Sequence, residues 1–543
     1  MNAAQLLVRC LESEGVQYIF GIPGEENLHI MDALNESPIR FVTTRHEQGA
    51  AFMADVYGRL TGKAGVCMST LGPGATNLVT GVADANMDCA PLVAISGQAG
   101  TTRLHKESHQ TLDLVGLFAP ISKYSVRILE PETVAEIVRK AFKLAQIEKP
   151  GASFIEFPEN IMQMRASGEP LRVQAAGISS PAPKKIQQVA EILAQAQFPI
   201  VMAGNGVIRG RSCEELTQFA ERLNIPVATT FMAKGAIPAS HPLSLGTVGL
   251  QARDYISCGF DRADVIICVG YDIVEYSPHL WHKTKDRQII HIDARAAEID
   301  AHYIFSAGIV GHIGEALMGL ADAVKPRPAK DFGGLRNAIY EELKTFGRDN
   351  SFPVKPQRII GDLRAALASE DIVICDVGAH KMWMARMYQA ERPNTCIISN
   401  GFASMGIAVP GAIAAAMAFP ERKIVAVTGD AGFMMNSQEI ETAIRLGVSF
   451  VVLIWNDECY GLIEWKQQIH FKRSSNVTFK NPDFVKYAES FGAKGYRVSK
   501  AEDLLPTLKR ALADKCVSLI DCPVDYTENL KLTERLGEMV CPI

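Results

Sequence analysis

Short apolar runs recur along the chain, each bounded by turn residues and followed by a stretch of helical spacing. VQYIFGI, AGVCMST and PLVAISG alternate in this way through about residue 160. FPIVMAG, IPVATTF, ADVIICVG and RQIIHID repeat the pattern up to about Ala329, and DIVICDVG, KIVAVTGD, VSFVVLIWND and CVSLIDCPVDY repeat it from near Pro353. Continuous apolar runs separated by helix-length segments predict buried parallel strands joined by helical crossovers. The expectation is an α/β chain with three open parallel sheets.

A chain of 543 residues is too long for one hydrophobic core and divides into about three domains at ~150 residues each. The pattern places an N-terminal domain at 1–165, a Pro/Ser-rich linker at 166–185 ending in SSPAPKK, and a central domain at 186–329. A charged, helical connection at 330–352 leads to a third domain at 353–530 and a tail at 531–543. One uncharged stretch, GFASMGIAVPGAIAAAMAF from Gly401 to Phe419, approaches membrane-spanning length. It is rich in Gly and Ala and contains Pro410, so it reads as a loop and helix packed closely on a buried neighbour. The N-terminal MNAAQLLVRCLESEGV has acidic residues and helical spacing where a signal peptide needs a basic start and an apolar run. No membrane partner and a cytoplasmic location are expected.

Composition narrows the function classes. Hydrophobic residues at 48% and charged residues at 21% are ordinary globular usage. A net charge of -5 offers no field for a polyanion, which sets nucleic acid aside. Twelve cysteines lie without C-x-x-C or Cys/His ligand spacing, which suits reduced thiols better than a disulfide framework or zinc site.

Open α/β sheets bind ligands at the carboxyl ends of their strands. After KIVAVT stands Gly429-Asp430-Ala431-Gly432-Phe433, and Asp457, in Asn456-Asp457-Glu458-Cys459, follows 27 residues after Asp430 at the end of another strand. Two hard carboxylates at adjacent strand ends suit Mg²⁺, which shares its shell with phosphate and water, and the N–H groups of a glycine turn suit diphosphate oxygens. The plainer reading is that each Asp caps the helix that follows it. Glu47, in TTRHEQGAAFMADVYGRLTGKAG, has a similar choice, because Thr44-x-x-Glu47 has capping-box spacing. GNGVIRG in the central domain invites a dinucleotide reading, but its spacing departs from G-x-G-x-x-G and a Gly-rich strand-to-helix turn is favoured.

Together these residues resemble the thiamin-diphosphate enzymes, whose metal motif is G-D-G, 25 to 30 residues, then N or D-N. Ala431 stands where the family has a second glycine, with Gly432 directly after. The family's R-H-E-x-x-A-x-x-M-A-x-x-Y-x-R-x-T-G pattern matches from Arg45 to Gly62, and its G-P-G-x-x-N turn matches Gly72-Pro73-Gly74-Ala75-Thr76-Asn77. The resemblance implies thiamin diphosphate and Mg²⁺ as cofactors. It makes Glu47 the carboxylate that shares a proton with N1′ of the aminopyrimidine, so that the neighbouring imino nitrogen takes the thiazolium C2 proton. Asp430, Asp457 and the Cys459 main-chain carbonyl become metal ligands, and Met405 in GFASMG the apolar wedge beneath the cofactor. Pro23, Gly72, Asn77, Gly378, His380, Ala403, Gly429, Ala431, Gly432 and Leu462 become further cofactor contacts.

Within that family the chain resembles acetolactate synthase of the flavin-free, catabolic type. Gly270-Tyr271-Asp272-Ile273-Val274-Glu275-Tyr276-Ser277-Pro278 looks like the catabolic G-Y-x-x-x-E-Y-x-P, where biosynthetic enzymes carry G-A-R-F-D-D-R. SHQTLDLVGLFAPISKYS resembles the catabolic H-Q-x-x-D…K-Y segment, which implies Gln110 as a polar group facing the reacting carbons and Lys123 as a candidate substrate cation. Lys466, in YGLIEWKQ, aligns with the family's specificity position and is the second candidate cation. The implied reaction decarboxylates one pyruvate and condenses the remaining two-carbon unit with another, giving 2-acetolactate, without FAD. A homodimer or dimer of dimers is implied, with each site shared between subunits. The rival readings are a 2-keto acid decarboxylase, aldehyde carboligase or pyruvate oxidase of the same family, a noncatalytic paralogue, and a nicotinamide oxidoreductase resting on GNGVIRG.

Overall fold

The computed structural model describes residues 1–174, 177–249, 254–283, 285–328 and 333–537. The apolar runs form three six-stranded, wholly parallel sheets. The first sheet contains β1 (Tyr18–Gly21), β2 (Arg40–Thr43), β3 (Gly65–Ser69), β4 (Leu92–Gln98), β5 (Tyr124–Arg127) and β6 (Ala152–Pro158), in the order β2-β1-β3-β4-β6-β5. The second contains β7 (Pro199–Ala203), β8 (Val227–Thr229), β9 (Ser244–Thr247), β10 (Val265–Val269), β11 (Gln288–Asp293) and β12 (Ala307–Val310), in the order β12-β11-β10-β7-β8-β9. The third contains β13 (Ile372–Cys375), β14 (Cys396–Ile398), β15 (Ile424–Gly429), β16 (Val451–Asn456), β17 (Lys494–Arg497) and β18 (Ser518–Pro523), in the order β14-β13-β15-β16-β18-β17.

The first and third sheets thus repeat one topology, and the second differs. Their central strands are buried on both faces, which is why they read as continuous apolar runs rather than alternating ones. The expected border between 329 and 330 and the end of the tail, 538–543, lie outside the described residues.

The stretch that approaches spanning length resolves as expected into a loop and a helix, Ala408–Ala418. This helix lies against helix Glu47–Thr61 of the first unit, both rich in fully buried alanine. A methyl added at Gly411 would come 2.8 Å from Val56 Cγ2, so small residues are what let the two backbones approach. Among the described residues no helix is long and apolar enough to cross a membrane.

Candidate active site

Glu47 opens helix Glu47–Thr61 at the carboxyl end of the first sheet, directly after β2. Its N-cap is His46, in extended backbone, whose ring accepts from the N–H of Gln48 at 3.1 Å. The capping-box reading of Thr44 is therefore corrected. The Thr44 N–H donates to the Gly21 carbonyl and its hydroxyl to the His46 carbonyl, so the helix starts two residues later than that spacing implied. Freed of that role, the buried Glu47 carboxylate accepts from Asn77 Nδ2 at 3.0 Å.

Asn77 reaches it because helix Pro73–Met87 begins at the Gly72 turn, with Pro73 at its first position, where no N–H is needed. Gly72 has φ +51, and a methyl there would meet the Gln110 carbonyl oxygen at 2.6 Å. One at Gly74 would come 3.3 Å from Glu47 Oε1. The turn thus brings Glu47, Asn77 and Gln110 to one end of the sheet. Pro23 follows β1 at the same end, where Gly24 packs on Thr70.

At the corresponding end of the third sheet, Asp430 follows β15 and opens helix Asp430–Asn436. Its Oδ1 accepts from the Ala431 N–H at 2.8 Å, and its Oδ2 accepts from the Glu458 N–H and from Asn481 Nδ2, each at 2.7 Å. Asp457 follows β16. Burial, together with the charge of Asp430, pushes the Asp457 carboxyl up to about 8, and burial raises Asp430 as well. Two desolvated carboxylates that repel each other are stabilised by a divalent cation between them. Among the described residues no group of three or more His, Cys, Asp or Glu side chains is arranged to hold a metal. Two carboxylates at adjacent strand ends leave most of an octahedral shell to other oxygen donors such as phosphate and water, which fits Mg²⁺ and a diphosphate.

His380, in helix Ala379–Met387 after β13, closes the floor between these strands. A methyl at Gly378 would come 2.8 Å from its Cε1, and one at Gly429 3.4 Å, so both glycines give its ring room. Burial lowers the imidazole to about 3, leaving it neutral, and its buried Nε2 has no hydrogen-bond partner among the described residues. A buried polar atom left unpaired costs ~1–3 kcal/mol, and a bound group supplying a partner would remove that cost. Met405 is half-buried on the loop after β14, between Ala403 (φ +58) and Gly406 (φ +92). Leu462 and Lys466 are half-buried on helix Gly461–Phe471, which has no fully buried residue. The Cys459 side chain is buried, its thiol facing Glu464 at 3.6 Å.

The three units match the thiamine pyrophosphate enzyme N-terminal TPP binding domain over residues 1–117, the central domain over 186–320 and the C-terminal TPP binding domain over 376–522. An acetolactate synthase of Bacillus subtilis (strain 168) is 36% identical, with 99% of this chain and 97% of that protein covered. This chain belongs to the acetolactate synthase family of thiamine pyrophosphate enzymes. A catabolic acetolactate synthase of Raoultella terrigena is likewise 36% identical, over 98% of this chain and 97% of the relative. A probable acetolactate synthase large subunit of Methanocaldococcus jannaschii is 36% identical over 100% of this chain and 96% of its own length.

Against this family membership, one expected site residue falls elsewhere. Lys123 precedes β5 at the amino ends of the strands, opposite Glu47, and donates to the carbonyls of Ile147 and Lys149. Burial lowers its ammonium to about 8. It staples the Ile147–Gly151 loop, whose Glu148 and Lys149 form ion pairs with Arg209 and Asp272 of the central unit, and it is not carried forward as a substrate group.

Other residues are newly visible in this acetolactate synthase family fold. Buried Asp376 accepts from the N–H groups of Val377 (2.7 Å), Gly406 (2.8 Å) and Ala408 (3.3 Å), fixing the Met405 loop over the ends of β13 and β15. Asn481 bridges Asp430 and Asn456 Oδ1, the latter at 3.0 Å. Both lie in stretches whose local pattern is only that of a strand end and a loop. Their partners are distant in sequence, so no spacing announces them.

Proposed function

We propose that this chain condenses two molecules of pyruvate to 2-acetolactate and CO₂ on thiamin diphosphate held by Mg²⁺. The observation that carries the reading is a complementary pair of strand ends. One presents Glu47 braced by Asn77; the other presents Asp430 and Asp457 beside His380, whose Nε2 is unpaired among the described residues. A bare helix cap explains neither the Asn77 contact nor the unpaired Nε2 of His380.

When bound, thiamin diphosphate would supply a nucleophilic carbon and an electron sink for decarboxylation. The chain does the rest. Asp430, Asp457 and the Cys459 carbonyl would hold Mg²⁺, and the turn Gly429–Gly432 would hold the diphosphate. Glu47, fixed in orientation by Asn77, shares a proton with the pyrimidine ring. Met405 would support the cofactor and, with Leu462, line the approach with apolar surface that excludes water. Gln110 faces the reacting carbons, and Lys466 offers a point charge for the second carboxylate.

FAD is not part of this reading. At the Gly-rich turn of the central unit the N–H of Asn205 is already held by both carboxylate oxygens of buried Glu275, at 3.0 and 3.1 Å. This N–H of the turn is therefore spent within the chain rather than left for a phosphate. The active unit is a homodimer or dimer of dimers in the cytoplasm, with no nucleic-acid or membrane partner and the two halves of each site on different subunits. In support, Leu112, Phe402, Met434 and Ile463 stand 40–51% exposed at the two strand ends, an apolar surface that a second subunit would cover. Incubation with pyruvate as sole substrate tests the reading: 2-acetolactate supports it, whereas acetaldehyde or acetyl phosphate would favour a decarboxylase or oxidase.

A further inference from the structure

The segment that follows the Asp430 helix turns back onto the residues that precede Glu47. Glu439 opens helix Glu439–Leu446 and is fully buried. Its Oε1 accepts from the backbone N–H groups of both Arg45 and His46, each at 3.0 Å, and its Oε2 accepts from the Thr442 hydroxyl at 2.6 Å. Gly49 makes room for it, since a methyl there would lie 2.8 Å from Oε1 and 3.0 Å from Cγ. Beside it Asn436 Nδ2 donates to Gln48 Oε1 at 3.1 Å and to the Gly406 carbonyl, next to Met405, at 2.9 Å. Arg445 donates to the Thr43 carbonyl.

These contacts have one geometric effect. The two peptides that lead into helix Glu47–Thr61 are gripped by a single carboxylate from the third unit, so the direction in which Glu47 leaves the helix end is set by Glu439 rather than by the local chain. A carboxylate facing a helix amino terminus is also electrostatically favourable.

We propose that Glu439 is the positioning residue for Glu47, gripping the Arg45 and His46 N–H groups so that the Glu47 carboxylate meets its proton partner. The proposal rests on the reading of Glu47 given above. It also connects the helix that follows the metal helix of a chain to the Glu47 of the same chain, two elements that serve different sites when the halves of each site come from different subunits.

The test uses the full-length protein with thiamin diphosphate and Mg²⁺, and reads exchange of the cofactor C2 proton for deuterium after acid quench. Glu439→Ala is expected to slow this exchange and kcat together by about 10²-fold, the scale of a misplacement near 1 Å, with KM for pyruvate and cofactor affinity little changed. Glu439→Gln keeps an acceptor oxygen for both N–H groups and an amide toward Thr442, and recovers most of the rate. Without cofactor, amide hydrogen exchange at Arg45 and His46 is expected to be protected in the wild type and in Glu439→Gln and unprotected in Glu439→Ala.

If Glu439→Ala does not fold, Gly49→Ala replaces it. Alanine is favoured over glycine at this helical position, yet a methyl 2.8 Å from Glu439 Oε1 displaces that carboxylate, so slowed C2 exchange in a stable protein supports the proposal. Wild-type C2 exchange in whichever of these two variants folds overturns it. Glu47→Gln is the control. If it too exchanges at the wild-type rate, the reading of Glu47 itself fails; if it is slow while Glu439→Ala is fast, only the positioning role fails.

Discussion

Asn77 Nδ2 lies 3.0 Å from Glu47 Oε2, joining two residues 30 apart in the chain at the mouth of the first sheet. The contact fixes one carboxylate oxygen and leaves Oε1 beside Gly74, where only a hydrogen faces it. Glu47→Gln is therefore expected to keep the fold and most cofactor affinity while losing turnover by ~10²–10⁴-fold, the usual worth of a positioned acid–base group. Asn77→Ala, which frees the carboxylate without removing it, is expected to lose less. Steady-state kinetics with the cofactor dissociation constant measured alongside checks both.

The metal set gives a second expectation. Asp430→Ala and Asp457→Ala each weaken Mg²⁺ and thiamin diphosphate binding together. Asn481→Ala, which removes the side-chain donor to Asp430 and to Asn456 Oδ1 but neither carboxylate, lowers metal affinity by ~10–100-fold, the usual effect of losing a ligand's hydrogen-bond partner. Calorimetric titration with and without Mg²⁺ measures each value. Unchanged cofactor affinity without the metal would return both aspartates to helix capping.

Much of this was legible in the sequence, and the reasons are physical. Strands buried on both faces leave continuous apolar runs, so three sheets could be read directly. Asp430 and Asp457 belong to a motif of fixed spacing, and Glu47 to another. Asp376, Glu439 and Asn481 were not legible, because each acts on backbone or side-chain groups brought near only by the assembled fold. The placement of Lys123 went astray for a related reason: it follows Gln110 closely in sequence, yet the chain crosses the sheet between them, from the carboxyl ends of the strands to the amino ends.

Arg59 makes a stability prediction. Its guanidinium, almost wholly buried, lies 2.7 Å from Asp55, 2.9 Å from Asp84 and 2.8 Å from Asp88, and it donates to the Ile398 carbonyl of the third unit at 3.2 Å. Arg59→Met leaves three buried carboxylates without their cation and is expected to destabilise by ~3–5 kcal/mol. The deficit should shrink as pH falls and the stranded acids take up protons. Denaturant unfolding at several pH values checks magnitude and sign.

Lys234 gives a pH dependence of opposite sense. Wholly buried, it donates to Thr247 Oγ1 at 3.1 Å and to the Ala385 carbonyl at 2.8 Å, and burial lowers its ammonium from 10.5 to about 8. The folded state binds this proton less tightly than the unfolded chain, so the group destabilises below about 8, and the penalty is relieved as pH rises from about 8 towards 10.5. Wild type is therefore expected to gain stability relative to Lys234→Met across that window. Parallel melting curves for the two proteins provide the comparison.

The central claim is that two pyruvates become one product joined between their keto carbons. Incubating the protein with pyruvate labelled with ¹³C at C2, thiamin diphosphate and Mg²⁺, and recording the ¹³C spectrum of the product, tests it most directly. The account predicts 2-acetolactate with two adjacent labelled carbons, seen as a pair of mutually coupled doublets, and one CO₂ released for every two pyruvates consumed. A labelled carbon with no labelled neighbour, as in acetaldehyde, with one CO₂ for each pyruvate, would contradict it.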